Sequence, residues 1–165
     1  KRILTIVAFF FLSVIITMAG LLTPISHEEA SSISQELEQM RQNISVQFIF
    51  GNNFMLCLAM FVPIAGPIFG LYVLYNTGVV IAADSITHGL PPLLSFFIML
   101  FFLPFVWLEF LAYSTAFGES VWLTRRMIQR RGRGEFVKTC MFISICAVML
   151  LVAAIIEVVM ILAFT

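Results

Sequence analysis

The sequence predicts an all-α fold, namely an integral membrane bundle of five transmembrane helices. Of the 165 residues, 61% are hydrophobic and only 11% are charged, and the mean hydropathy is +1.07. The apolar residues are gathered into runs that approach or exceed the roughly 20 residues needed to cross a bilayer. A soluble domain of this size could not bury so much apolar surface. We therefore expect one membrane domain over residues 1–165.

The distribution of cations orders the predicted spans, which cover residues 3–22, 46–62, 68–83, 93–118 and 140–164. With five crossings, Lys1, Arg2 and a basic loop over 119–139 are cytoplasmic, the loop 23–45 is external, and Arg41 is the only external cation. This agrees with the positive-inside rule for a cell-membrane protein. The run Pro63–Pro67 is taken to separate the second and third spans as a tight pair, although a re-entrant hairpin or one kinked span is an alternative.

A short amphipathic helix is predicted in the external loop. Ser26 and Glu29 have the spacing of a capping box. The apolar stripe that follows is Ile33, Leu37, Met40 and Ile44. This stripe either rests on the bundle or on lipid, or it forms a docking face for a partner. Asn43 begins an Asn-Ile-Ser tripeptide, which is an acceptor sequence for N-glycosylation.

The predicted cytoplasmic loop concentrates the positive charge of the chain. Its cations are Arg125, Arg126, Arg130, Arg131, Arg133 and Lys138. They suit an anionic lipid leaflet, at about 1 kcal/mol per cation, or they serve only to orient the protein. Nucleic acid is not an expected partner, because the segment is tethered to the membrane and lacks a recognition module. The expected partners are membrane lipids and other integral membrane subunits, in a homo- or hetero-oligomer.

Four polar residues lie within the apolar runs, where an unpaired polar group costs several kcal/mol. Asn53, Asn76 and Glu109 each fall roughly 14 to 15 Å from the cytoplasmic face at about 1.5 Å per residue, so they form one predicted polar layer. Glu157 falls roughly 24 Å from the same face and should have a different partner. The layer is either a hydrogen-bonded cluster that fixes helix order or part of a proton, ion or small-solute pathway.

Signals for enzymatic chemistry are scarce. Cys57, Cys140 and Cys146 are odd in number, form no CxxC pattern and lie in apolar runs, so they are expected to be packing thiols rather than a disulfide framework or metal site. Asp84 and His88 share a helical face but form no recognisable metal pattern. No P-loop, G-x-S-x-G or H-E-x-x-H motif is present. We therefore expect no enzymatic activity, no cofactor and no metal.

Two further patterns concern helix packing. Small residues recur four apart, as in Gly78 and Ala82 or Ala112 and Ala116, and this spacing lets helix backbones approach closely. Pro104 is expected to kink the fourth span shortly before Glu109.

Several short motifs together resemble the stage II sporulation protein M family. They are Phe50-Gly51-Asn52-Asn53, Asn76-Thr77-Gly78, Leu103-Pro104 with Glu109 and Ala112, then Gly118, Arg125 and Glu157. The resemblance covers nearly the whole chain. It implies a multi-pass membrane protein, usually with five spans, whose sporulating members act with cell-wall hydrolases during engulfment.

The resemblance has one gap and supplies no reaction. The family usually has Pro-His-Gly ahead of its Glu, whereas Phe105 and Val106 stand at the His and Gly positions here. The resemblance points to the same four intramembrane polar residues that the cost of burying a polar group singles out. The sequence therefore predicts a non-enzymatic membrane scaffold or accessory subunit of a complex, with a transporter or channel component as the alternative.

Overall fold

The structure is a computed structural model that describes residues 2–41, 44–129 and 133–164, and the predicted all-α class is confirmed. Seven helices occur within these ranges. They are α1 (Arg2–Leu21), α2 (His27–Arg41), α3 (Val46–Met60), α4 (Ala65–Thr87), α5 (Pro92–Phe102), α6 (Pro104–Ile128) and α7 (Arg133–Phe164).

The prediction of five transmembrane helices is wrong by length and composition. Among the described residues, α1, α4 and α7 are long and apolar enough to cross a membrane, and α5 with α6 adds a fourth span if this bent pair counts as one. Helix α3 has only 15 residues. At about 1.5 Å per residue it is roughly 22 Å long, against a hydrocarbon core of about 30 Å. These apolar helices are compatible with a membrane location.

The predicted span 93–118 is not one helix, because the helical conformation is interrupted at Leu103. This residue has an extended backbone, with φ −102° and ψ 101°, and α5 and α6 meet at an angle of 88°. Pro104 is the cause, since proline lacks an N–H group and disfavours the helical conformation of the residue before it. The indole Nε1 of Trp107 donates to the Leu100 carbonyl oxygen at 2.5 Å, so a carbonyl freed by the break is satisfied.

The predicted loop 119–139 is also largely helical. Helix α6 continues to Ile128 and α7 begins at Arg133, so only a short segment connects them. Gly134 lies in the first turn of α7. The N–H groups of a first turn lack partners within the helix in any case, so a glycine there does not stop it.

The break between α3 and α4 occurs where the Pro/Gly run predicts it, and α6 holds it in place. Ile64 has a positive φ of 69°, an uncommon conformation for a β-branched residue. Its N–H donates to Thr124 Oγ1 at 3.1 Å, and Ser120 Oγ donates to the Val62 carbonyl at 2.7 Å. Two side chains of α6 therefore hydrogen-bond to the backbone of the turn.

Helix α6 occupies the centre of the bundle and contacts α1, α3, α4, α5 and α7. Close packing also joins α1 to α4, as the small-residue spacing predicts. A Cβ atom added to Gly78 would collide with the Thr17 carbonyl oxygen and would lie 2.7 Å from the Leu21 nitrogen. The absence of a side chain at Gly78 therefore permits backbone contact between these helices.

The amphipathic helix α2 begins with the predicted capping box. The Ser26 N–H donates to Glu29 Oε2 at 2.9 Å, and the Glu29 N–H donates to Ser26 Oγ at 3.2 Å. Helix α2 packs against α4, with Ala30 and Ser34 buried. Of the predicted apolar stripe, Ile33 and Leu37 are half-buried, Met40 is exposed, and Ile44 lies beyond the end of the helix.

Candidate functional site

Helices α3 and α6 are joined by a hydrogen bond between two of the predicted polar residues. Asn53 Nδ2 donates to Glu109 Oε1 at 2.6 Å. Asn53 lies in the middle of α3. Glu109 lies in the second turn of α6, just after the bend at Pro104. Both side chains are half-buried within the bundle. An amide donor is thus matched to a carboxyl acceptor inside the bundle, where an unpaired group would be costly.

A second carboxyl group belongs to the same cluster. Glu157 of α7 lies within electrostatic range of Glu109, and both carboxyl groups lie within electrostatic range of the buried Tyr113. The depth count predicts a separate partner for Glu157, nearer the outside, and this stays a prediction. Helix α7 packs along both α3 and α6, so it carries Glu157 on a helix that contacts the helix of Glu109.

Asn76 is placed differently from the other residues of the predicted layer. Its Nδ2 donates to the Tyr72 carbonyl oxygen of the same helix at 2.8 Å. The hydrogen bond therefore satisfies the amide within α4. The structure thus joins Asn53 to Glu109 across helices and gives Asn76 a local backbone partner.

Sequence reasoning missed a buried ion pair at one end of the bundle. Arg2 Nε and Nη2 donate to Glu119 Oε1 and Oε2 at 2.6 and 2.7 Å, so the contact is bidentate. The Glu119 side chain is fully buried, whereas that of Arg2 is 25% exposed. Aromatic rings of Trp122 and Phe142 lie 5.9 and 5.4 Å from the Arg2 guanidinium carbon. The sequence signal for this ion pair was Glu119 itself, an acidic residue directly after Gly118 at the end of an apolar run.

The basic residues gather at this same end. Arg125 stacks over the Trp122 ring, with 5.5 Å between its guanidinium carbon and the ring centroid. Arg126 lies in the last turn of α6, and Lys138 lies in the second turn of α7. Arg130, Arg131 and the glycosylation candidate Asn43 lie outside the described residues, as does the side chain of Arg133.

Metal chemistry has no visible support in the described part of the chain. No group of three or more His, Cys, Asp and Glu side chains in 2–41, 44–129 and 133–164 could hold an ion. Asp84 Oδ1 lies 3.7 Å from His88 Nδ1, which is a helical i,i+4 pair at the end of α4. The candidate site itself contains two carboxyl groups, an amide and a phenol, which can form hydrogen bonds and exchange protons.

Taken together, the fold and site define a helical protein with membrane-compatible helices and an internal carboxyl cluster. Comparisons with protein-family profiles, with curated proteins and with solved structures find no match to this chain.

Proposed function

We propose that this chain is a multi-pass integral membrane protein that acts as a non-enzymatic scaffold or accessory subunit of a membrane complex, of the stage II sporulation protein M type. The observation that carries the proposal is the hydrogen bond between Asn53 and Glu109. A neutral Glu109 can also accept the hydrogen bond from the Asn53 amide. This contact can therefore hold α3 against α6 without leaving a charge in the membrane. A rigid bundle is what a scaffold requires.

The proposed orientation rests on the two ends of the bundle. The Arg2–Glu119 pair, the turn between α3 and α4, and the cations of α6 and α7 lie at one end, because Ser120 and Thr124 bind that turn. The acidic helix α2 packs on the later part of α4, at the opposite end. We place the first end in the cytoplasm and α2 outside the cell membrane, following the positive-inside rule. Helix α3 then connects the two ends as a short segment.

Cysteine labelling tests this orientation. Cys140 is exposed, so the background is Cys140→Ser, and single cysteines are placed at Ser32 on α2 or at Gln129 after α6. An impermeant maleimide applied to intact cells should label the Ser32→Cys variant alone. Permeabilised cells provide the control, since both positions should then react. Labelling of Gln129→Cys in intact cells would refute the orientation.

Copurification in mild detergent tests the role in a complex. Subunits that remain bound to the unmodified protein are identified by mass spectrometry, and the same set should remain bound to Glu109→Gln. The reason is that a glutamine can accept the Asn53 hydrogen bond through its carbonyl oxygen. Glu109→Leu, which cannot accept it, should loosen the complex. A Glu109→Gln protein that keeps its subunits but loses cellular function would contradict the scaffold proposal.

Transport is the second candidate, and it is favoured by the electrostatic interaction between Glu109 and Glu157. Two acids in one membrane cluster can exchange a proton or hold a cation, and intramembrane acids often mark such pathways. The test is pH-driven flux of protons or small cations in vesicles containing the protein with its copurified subunits. Transport requires flux that Glu109→Gln abolishes. Vesicles that contain the intact complex and show no flux would remove this candidate.

A further inference from the structure

Two cysteine thiols from different helices meet inside the bundle. Cys57 of α3 and Cys146 of α7 are both fully buried. Their Sγ atoms donate to the same acceptor, the Ala112 carbonyl oxygen of α6, at 4.0 and 3.5 Å. The two thiol groups also interact electrostatically with each other. Three helices therefore converge at this point, with two sulfur atoms within 4.0 Å of one carbonyl oxygen.

This pairing differs from the environment of an ordinary packing thiol. A packing cysteine needs only apolar neighbours, whereas Cys57 and Cys146 share one polar neighbour, the Ala112 carbonyl oxygen. Their helices are in direct contact along the bundle. The third cysteine, Cys140, is exposed, so it provides an internal comparison.

We propose that Cys57 and Cys146 form a modification site, an intramolecular disulfide that fastens α3 to α7 when a lipid-soluble organic hydroperoxide reaches the bundle. This oxidant class suits the location, because a hydroperoxide on a lipid chain is delivered within the apolar phase. A buried thiol reacts more slowly than an exposed thiolate, so the reaction is slow. The pairing of the two sulfur atoms decides the product and not the rate.

The reaction proceeds in two balanced steps. One sulfur attacks the terminal oxygen of the hydroperoxide, the O–O bond breaks, and the thiol hydrogen leaves with the alcohol, which produces a sulfenic acid. The second sulfur then attacks the first, the S–O bond breaks, and its hydrogen leaves as part of water. The hydroperoxide is reduced by two electrons, and the two thiols are oxidised to the disulfide.

The position of the pair gives the cross-link a structural consequence. Cys57 lies one turn after Asn53 on α3, and Ala112 lies about one turn after Glu109 on α6. A disulfide at this level would hold α3 and α7 together beside the Asn53–Glu109 hydrogen bond. The disulfide depends only on the thiol contacts, whether the protein is a scaffold or a transporter.

Peptide mapping after oxidation tests the proposal. The purified protein in phosphatidylcholine vesicles is treated with cumene hydroperoxide until Met55 is converted to its sulfoxide. Met55 is 72% exposed on α3, two residues from Cys57, so its oxidation shows that the reagent has reached this helix. The protein is then denatured, free thiols are alkylated, and peptides are analysed by mass spectrometry. We expect Cys57 linked to Cys146 as the main form of both residues, and Cys140 in no cross-link, whether alkylated or oxidised to a sulfur acid.

Variants and controls make the outcome decisive. The Cys57→Ala and Cys146→Ala proteins should lose the linked peptide, Cys140→Ala should keep it, and a reducing agent should restore both free thiols. Alkylated Cys57 and Cys146 in molecules whose Met55 is oxidised would overturn the proposal. A cross-link through Cys140 would also overturn it. If an alanine variant does not fold, the peptide map of the unmodified protein still identifies the linked residues.

Discussion

The ion pair between Arg2 and Glu119 yields the sharpest stability prediction. The change is Arg2→Met, which keeps a long apolar side chain between the Trp122 and Phe142 rings but removes the guanidinium. Glu119 is fully buried and would lose a bidentate partner. Removing one member of a buried pair takes a bidentate contact away from the other, which is more costly than removing both members.

The expected loss in free energy of unfolding follows from how deeply the ion pair is buried. Breaking a buried ion pair costs about 3–5 kcal/mol. The Arg2 side chain is 25% exposed, so water screens part of the interaction and the lower end, about 3 kcal/mol, is appropriate. Loss of the cation–π contacts with the two rings adds about 0.5–1 kcal/mol. The double change Arg2→Met with Glu119→Leu should cost less than Arg2→Met alone, because no buried charge remains.

The assay is reversible unfolding in mixed detergent micelles, followed by circular dichroism, with the free energy of unfolding compared among variants. Arg125→Met is the matched control, because Arg125 stacks on the same Trp122 ring at 5.5 Å but is exposed. Its loss should cost less than about 1 kcal/mol. If Arg2→Met costs no more than this control, the buried pair does not stabilise the bundle as reasoned. A double variant less stable than Arg2→Met would also refute the reasoning.

Three other features give further predictions. Gly78→Ala should destabilise the protein by about 1–3 kcal/mol, because its Cβ meets the backbone of α1, whereas Gly51→Ala, with open space at its Cβ, should not; unfolding in micelles compares them. Pro104→Ala restores an N–H group at the break, so the angle between α5 and α6 should change from 88°. The distance between spin labels on the two helices reports this change, and an unchanged distance would contradict the role given to the proline. The backbone N–H and then the hydroxyl of Ser26 lower the pKa of Glu29 below 4.5. The capping contribution should therefore be complete at neutral pH and be lost as pH falls through the lowered pKa. Hydrogen exchange of the first turn of α2, measured relative to the intrinsic rate at each pH, should show less protection at acidic pH.

The sequence could predict most of the helices but not the separation of α5 from α6, the helical extent of residues 119–139 or the number of spans. Hydrophobic composition predicted the all-α class, and the run Pro63–Pro67 located the break between α3 and α4. The length of α3 and the angle at Pro104 were not predictable in this way. A proline indicates that a helix ends or bends, but the angle depends on how the two halves pack against their neighbours.

The candidate site was predictable residue by residue but not pair by pair. Burial cost singled out Asn53 and Glu109, which are 56 positions apart and hydrogen-bonded in the structure. The same cost singled out Asn76, whose amide donates to its own helix instead. Glu119 was overlooked because it lies at the edge of the charged segment, where a carboxylate is expected to be solvated.

By itself, the sequence determined what acts locally: long apolar runs, a capping box at Ser26 and a helix break at the Pro/Gly run. These effects depend on residues within about one helical turn of each other, and so they can be read along the chain. Only the tertiary structure decided that Arg2 binds Glu119, 117 positions away, and that the thiols of Cys57 and Cys146 share one carbonyl oxygen. Such pairings depend on how helices cross and rotate against each other, which is set by packing over the whole bundle.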